Sequence, residues 1–285
     1  MVEMPLSDGS GVITRHADFP SHDAMPRNVD VWLPPDYSVE PARRFPVLYM
    51  HDGQNLFDPA IVITGTDWGV DEAITGLAKA GKIRTAIVAG VWNGEKRWLD
   101  YIPQKPLETP EGENFKRKAL QMYGEEFGGE IQTDHYLRFL VEELKPFIDQ
   151  NYRSLPGRED TFVMGSSMGG LASLYALCEY PEIFRGAGCL STHWPAGEEV
   201  IVEWLKEALP KPGAHKLYFD YGTATLDALY EPFQMKVDAI MRAIGYQQGK
   251  DWVTHKFPGA EHNEAAWRAR VCLPLEFLLR INKNA

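Results

Sequence analysis

Cysteine is scarce. The chain has three in 285 residues, Cys178, Cys189 and Cys272, an odd set without the close pairing that metal sites use. No disulfide framework is therefore expected, and a reducing, cytoplasmic setting is the expectation. Long apolar runs are also missing: no stretch approaches the ~18 residues that a membrane span needs. The first residues, MVEMPLSDGSGVITRHADF, have neither the basic start nor the apolar run of a secretory leader. Positive charge is in deficit, with 29 Lys and Arg against 40 Asp and Glu and a formal charge of −11. Such a chain repels phosphate backbones and anionic lipid, so neither nucleic acid nor a membrane surface is an expected partner. The rest is ordinary for a globular protein: 44% hydrophobic, 12% aromatic and 24% charged.

Apolar bursts alternate with helix-like stretches, the order of a mostly parallel sheet with helices on both faces. Arg27–Leu33 alternates as a half-exposed strand does, and Pro34-Pro35 ends it. Phe45–Met50 and Thr85–Val91 are near-continuous apolar runs, as in strands buried on both faces, and Val70–Ala80 between them has helical spacing. From Tyr101 to Ile131 the chain is rich in Pro, Gly and Glu without clear periodicity, either an insertion or lid or a solvated excursion. Thr133–Ile148 is strongly helical. Thr161–Met164, Gly186–Leu190, His215–Phe219 and Trp252–Phe257 read as strands, and Asn263–Ile281 as an amphipathic helix with Trp267, Val271, Leu275 and Leu278 inward. One α/β domain over residues 1–285 accounts for this, with roughly the first 25 residues peripheral.

The most informative residues are Gly165-Ser166-Ser167-Met168-Gly169, between the strand TFVM and the helix LASLYAL. This is G-x-S-x-G in the strand–turn–helix setting the motif requires. A serine hydroxyl attacks well only if a sharp turn lifts it clear of the sheet, and small residues two before and two after supply the clearance. Spacing selects Ser167. Its base should be a downstream histidine at the carboxyl edge of the sheet, because a serine of ordinary pKa is a weak nucleophile. His262, in the loop Pro258-Gly-Ala-Glu-His-Asn after the strand WVTHKF, meets that condition. His193 ends at the same edge but precedes every acid candidate; His255 lies within a strand and His215 opens one at the far edge. The acid that fixes the histidine tautomer should follow HKLYF. Asp227, beyond Gly222, is favoured over Asp220 at the strand end, and a helix cap is the structural alternative for Asp227.

An oxyanion needs two donors. The N–H of Met168 is one, and the N–H of Gly53 or Gln54, in HDGQNLFD after an early strand, is the other candidate. His51, Asp52 and Asp58 lack any recognised metal spacing, so no metal is expected. Aromatic residues after the other strands, Trp92, Trp98, Tyr101, His193 and Trp194, serve either as a substrate-binding wall, together with Arg97, or as packing.

Together FPVLYMHDGQNLFD, VWNGEKRWLDYIP, FLVEELKPFIDQNYR, GSSMGGLASLYA and GAEHNEAAW resemble the α/β-hydrolase branch of esterase D-like enzymes, enterochelin (siderophore) esterases and feruloyl esterase domains, to which mycolyltransferases are also similar. The resemblance runs from about residue 27 to the C-terminus. It implies an α/β-hydrolase fold, hydrolysis of a small-molecule carboxylic ester, no cofactor, and Ser167 and His262 as family-matched positions; an aryl, feruloyl or acetylated-sugar ester is the substrate that the aromatic residues above suggest. The acid departs from the pattern, because GTATLD lengthens the interval after the strand-end glycine. An acyltransferase with the same residues, a siderophore esterase and a non-catalytic binding protein are the competing readings.

Overall fold

A computed structural model describes residues 2–6, 11–62, 64–123 and 129–281. A nine-stranded sheet runs through it: β1 (Val2–Pro5), β2 (Val12–Phe19), β3 (Arg27–Leu33), β4 (Val47–His51), β5 (Ile87–Val91), β6 (Thr161–Ser166), β7 (Gly186–Leu190), β8 (Lys216–Gly222) and β9 (Trp252–Phe257), in the order β1-β2-β3-β5-β4-β6-β7-β8-β9. The pairs from β5 to β9 are parallel; β1, β2 and β3 join antiparallel at one edge. In this open parallel sheet the six parallel strands end at one edge, where loops carry chemistry.

The two-residue period of the strands divides the core. Val47, Tyr49, Ile87, Ala89 and Val163 point to one face, where the helices Thr133–Arg138, Met168–Glu179, Glu198–Ala208 and Glu231–Ala243 cover them. Leu48, Met50, Val88, Phe162 and Met164 point to the other, under Val70–Lys79 and Cys272–Leu279. This is the doubly covered sheet expected from the continuous apolar runs.

Two helices depart from the simple pattern, both at proline. The helix that begins at Thr133 passes through a π-helical stretch, Phe139–Leu144, before Lys145–Asn151. Pro146 lacks an N–H and its ring crowds the preceding turn, which the wider coil accommodates. The amphipathic helix expected over 263–281 is two, Glu264–Arg268 and Cys272–Leu279, with Pro274 in the first turn of the second. Its inward positions hold: Trp267, Val271, Leu275 and Leu278 are all buried.

At the amino terminus, β1 and β2 are outermost in the sheet, yet β2 packs Ile13 and Phe19 into the core. Its pattern is hard to read because Thr14 and His16 are also buried, His16 pairing its Nε2 with the Tyr152 hydroxyl at 2.7 Å. The segment 101–131 forms the short helix Gln104–Leu107 and the longer Pro110–Tyr123, with residues 124–128 outside the described set. It is anchored to the Met168–Glu179 helix by Lys105, which pairs with Glu179 and whose N–H donates to the Tyr175 hydroxyl at 3.2 Å.

Candidate active site

Ser167 sits between β6 and the Met168–Glu179 helix with φ 57° and ψ −121°, a conformation that side chains resist. Neighbouring strands and the helix hold it there. Its N–H donates to the Leu190 carbonyl at 2.9 Å, and its carbonyl accepts from Gly170 (3.0 Å) and His193 (3.2 Å). The glycines earn their places by proximity. A Cβ on Gly165 would stand 2.7 Å from the Gly169 carbonyl oxygen, and one on Gly169 3.2 Å from the His51 Cβ. The turn therefore requires glycine at 165 and is tight at 169, and the Met168 N–H, first in the helix, is left without an intrahelical acceptor.

His262 reaches this serine from the loop after β9. Its Nε2 lies 3.0 Å from Ser167 Oγ and its Nδ1 2.5 Å from Asp227 Oδ1. The lengthened interval GTATLD is taken up by a 3₁₀ turn, Thr225–Leu229, entered through Thr225 at φ 52°. That turn also grips the histidine loop. Thr225 Oγ1 accepts from the His262 N–H at 2.9 Å, Thr223 Oγ1 from the Gly259 N–H at 2.7 Å, and the Ala260 carbonyl from the N–H groups of Thr223 and Ala224. These contacts hold the loop that carries the ring.

Asp227 is completely buried. Burial pushes its carboxyl upward, but hydrogen bonds from His262, Ser191 and the Gly222 N–H outweigh burial and hold it below the usual carboxylate range. Ser191 Oγ donates to Asp227 Oδ2 at 2.6 Å while accepting from Trp267 Nε1 (3.1 Å) and Arg270 Nη2 (2.8 Å). Asp220, the alternative acid, points elsewhere: it pairs with buried Arg270 at 3.1 Å and accepts from the Tyr218 hydroxyl and the Ser191 N–H. Sequence reasoning missed Ser191 and Arg270. Ser191 stands directly at the carboxyl end of β7, a position that offered a signal; nothing local marked Arg270.

Tyr230 was also missed. Its hydroxyl lies 2.7 Å from His193 Nδ1 and 3.5 Å from His262 Nδ1. Burial first, and then the Asp227 charge, push the phenol well above its ordinary range, with the Ser167 hydroxyl offsetting them in part. The phenol is therefore a proton donor. Burial, with the charges of His262 and Arg97, drives His193 down to about 4, so that its ring is neutral and accepts from Tyr230. His193 pairs with a phenol, not with Ser167 Oγ. His215 bonds the Pro181 carbonyl at the far edge, and the His255 ring packs near Tyr218.

On the other side of Ser167 lies the turn after β4. The left-handed residue here is Asp52 (φ 56°). Gly53 is required by proximity, since a Cβ there would sit 2.4 Å from the Gly90 carbonyl carbon. Asp52 accepts from Arg97 Nε and Nη2, each at 2.7 Å, and from Asn93 Nδ2 at 2.6 Å. Burial pushes its carboxyl up, but Arg97 and Asn93 prevail and lower it. His51 is buried, bonds the Tyr136 hydroxyl through Nδ1 at 2.7 Å, and is pushed down to about 4, chiefly by burial. Gln54 accepts from the Asn93 N–H at 3.3 Å, and Asp58 accepts from the Ala60 N–H at 2.9 Å.

The aromatic set divides. Trp98 packs edge-on against His193, ring centroids 5.7 Å apart. Two members are corrections. Trp194 is buried, donates to Gln234 Oε1 at 3.2 Å and packs near Phe219; Tyr101 is wholly buried, its hydroxyl accepting from the Asp52 N–H at 3.3 Å. Both rings were drawn into the core because their polar tips find buried partners there. Trp92 commits its N–H to Asp30 (2.8 Å) and its face to Arg15, towards β2 and β3.

A family model, Esterase, matches residues 24–272. Among curated relatives, YbbA of Bacillus subtilis, itself described as uncharacterized, is 25% identical over 203 residues (71% of this chain, 70% of its own). The ferri-bacillibactin esterase BesA of the same organism is 25% identical over 176 residues (59% and 55%). Among solved structures, a ferulic acid esterase of the anaerobic fungus Anaeromyces mucronatus superposes with a TM-score of 0.62 at 19% identity, covering 94% of this chain and 89% of its own. With the family match spanning most of the chain and a fold similar to that of a solved esterase, the chain belongs to the Esterase family and is a carboxylic ester hydrolase of α/β-hydrolase fold.

Proposed function

We propose that ester hydrolysis runs through Ser167 as nucleophile, His262 as base and Asp227 as acid, by way of an acyl-enzyme. The observation that carries this reading is the chain of contacts Ser167 Oγ–His262 Nε2 (3.0 Å) and His262 Nδ1–Asp227 Oδ1 (2.5 Å) at a strained strand–helix turn. As Oγ bonds to the ester carbonyl carbon, its proton passes to Nε2, and Asp227 stabilises the imidazolium through Nδ1. The carbonyl oxygen takes the negative charge and meets the Met168 N–H at the helix start, with Gly53 or Gln54 as second donor. The C–O bond to the alcohol breaks as Nε2 returns the proton to the leaving oxygen. Water then adds with the same base, and the acid is released with Ser167 restored.

The substrate class proposed is an ester carrying an aromatic group. His193, whose N–H donates to the Ser167 carbonyl, packs T-shaped against Trp98, and these two rings are the proposed contact for an aryl group. A relative named for ferri-bacillibactin and a structural neighbour named for ferulic acid support an ester reading of that kind. The test is a turnover screen of feruloyl, siderophore-lactone, acetylated-sugar and short aliphatic esters. Aromatic esters are expected to show the highest kcat/KM; a preference for short aliphatic esters over all of them overturns the substrate proposal. Products formed with added alcohol acceptor separate hydrolysis from acyl transfer.

A further inference from the structure

The amino ends of the parallel strands, opposite the edge that carries Ser167, hold a cleft of about 270 Å³. Chain order builds it. Arg84 precedes β5, Asp160 precedes β6, Arg185 precedes β7, Lys216 opens β8, and Arg280 follows the last helix. In a chain of formal charge −11 the cleft is a local reversal, four cations against the two carboxylates of Glu159 and Asp160.

Both carboxylates are already engaged. Asp160 pairs with Arg84, and Glu159 with Arg185 Nε at 2.8 Å. Among the described residues, the carboxylate contact of Arg280 is a long one, with Glu276 at 3.9 Å. Lys216 has no carboxylate partner among the described residues. Its ammonium donates to the Phe277 carbonyl at 3.0 Å and lies 5.4 Å from the Phe277 ring centroid. A half-buried ammonium facing guanidinium groups is repelled by its surroundings, and the same geometry attracts an oxyanion. Burial and the charges of Arg185, Arg280 and Arg84 push Lys216 down to about 8, a second sign that negative charge is missing from this cleft.

We infer that this cleft binds a compact oxyanion of two negative charges, held by Lys216 and Arg280 with Arg185 and Arg84 around it. The inference does not depend on the assignment of the triad, since the cleft lies at the other end of the sheet.

The experiment is calorimetric titration of the full chain with inorganic phosphate at pH 8 and fixed ionic strength, in two buffers of different ionisation enthalpy. Saturable one-to-one binding is expected, with uptake of a fraction of a proton as the bound dianion raises Lys216. Arg280→Met, at an exposed position, is expected to weaken binding about tenfold, the loss of one charge-assisted contact. Lys216→Met is expected to weaken it at least as much and to abolish the proton uptake. Both variants keep the parent rate of ester hydrolysis. Absence of saturable heat, or Arg280→Met binding phosphate as the parent does, overturns the inference, as does chloride competing at equal concentration.

Discussion

Ser167 holds a backbone conformation that costs about 1–3 kcal/mol for a residue with a side chain, and the surrounding hydrogen bonds to Leu190, Gly170 and His193 enforce it. On the proposed mechanism, Ser167→Ala keeps the fold and loses ester turnover by at least about 10³-fold, which circular dichroism and a chromogenic ester assay check together. Asp227→Asn leaves His262 without the partner that sets its tautomer, and a loss of roughly 10³–10⁴-fold in kcat is expected. Near-parental turnover in that variant returns the acid role to another residue. Tyr230→Phe removes the hydroxyl that donates to His193 and stands 3.5 Å from His262 Nδ1; a fall of roughly tenfold in kcat with little change in KM is expected.

At the scale of elements, the site exists because strand ends and helix starts approach closer than side chains allow. In Gly169→Ala the new methyl would meet the His51 Cβ at 3.2 Å and Asp52 Oδ2 at 3.3 Å. The helix start then backs away from the β4 turn. We expect turnover to fall by more than tenfold, about the effect of losing one oxyanion donor, while the melting temperature shifts only modestly. Unchanged kcat means that this contact does not hold the oxyanion geometry.

Much of this was legible in the sequence. Buried strands announce themselves as apolar runs, the G-x-S-x-G turn is spelled by clearance, and His262 follows from strand order. The unread parts share one cause: polar side chains in inward positions. Thr14 and His16 blurred β2, buried Tyr101 and Trp194 passed for site residues because their polar tips pair inside, and Ser191, Arg270 and Tyr230 act through partners distant in sequence. The stretched interval before Asp227 was readable as an anomaly, but not the 3₁₀ turn that absorbs it.

For the whole molecule, burial of neutral imidazoles near the site links stability to pH. His51 and His193 are both lowered from 6.5 to about 4, burial being the main cause. Between these values the unfolded chain holds more protons than the folded one, so stability falls as pH drops from about 6.5 towards 4. For fully buried His51 the effect is on the order of 3 kcal/mol. In His51→Gln, which keeps a partner for Tyr136, the dependence of unfolding free energy on pH near pH 5 is expected to lose about one proton, and an unchanged slope in urea denaturation contradicts the assignment.

The central claim is that one serine, lifted out of the sheet by its turn, is activated by His262. Labelling with a fluorophosphonate followed by intact-mass and peptide mapping tests it most directly. A single adduct on Ser167, absent from Ser167→Ala and slowed at least about a hundredfold in His262→Ala, is the expected result. An adduct on another residue, or labelling of Ser167 at an unchanged rate without His262, contradicts it.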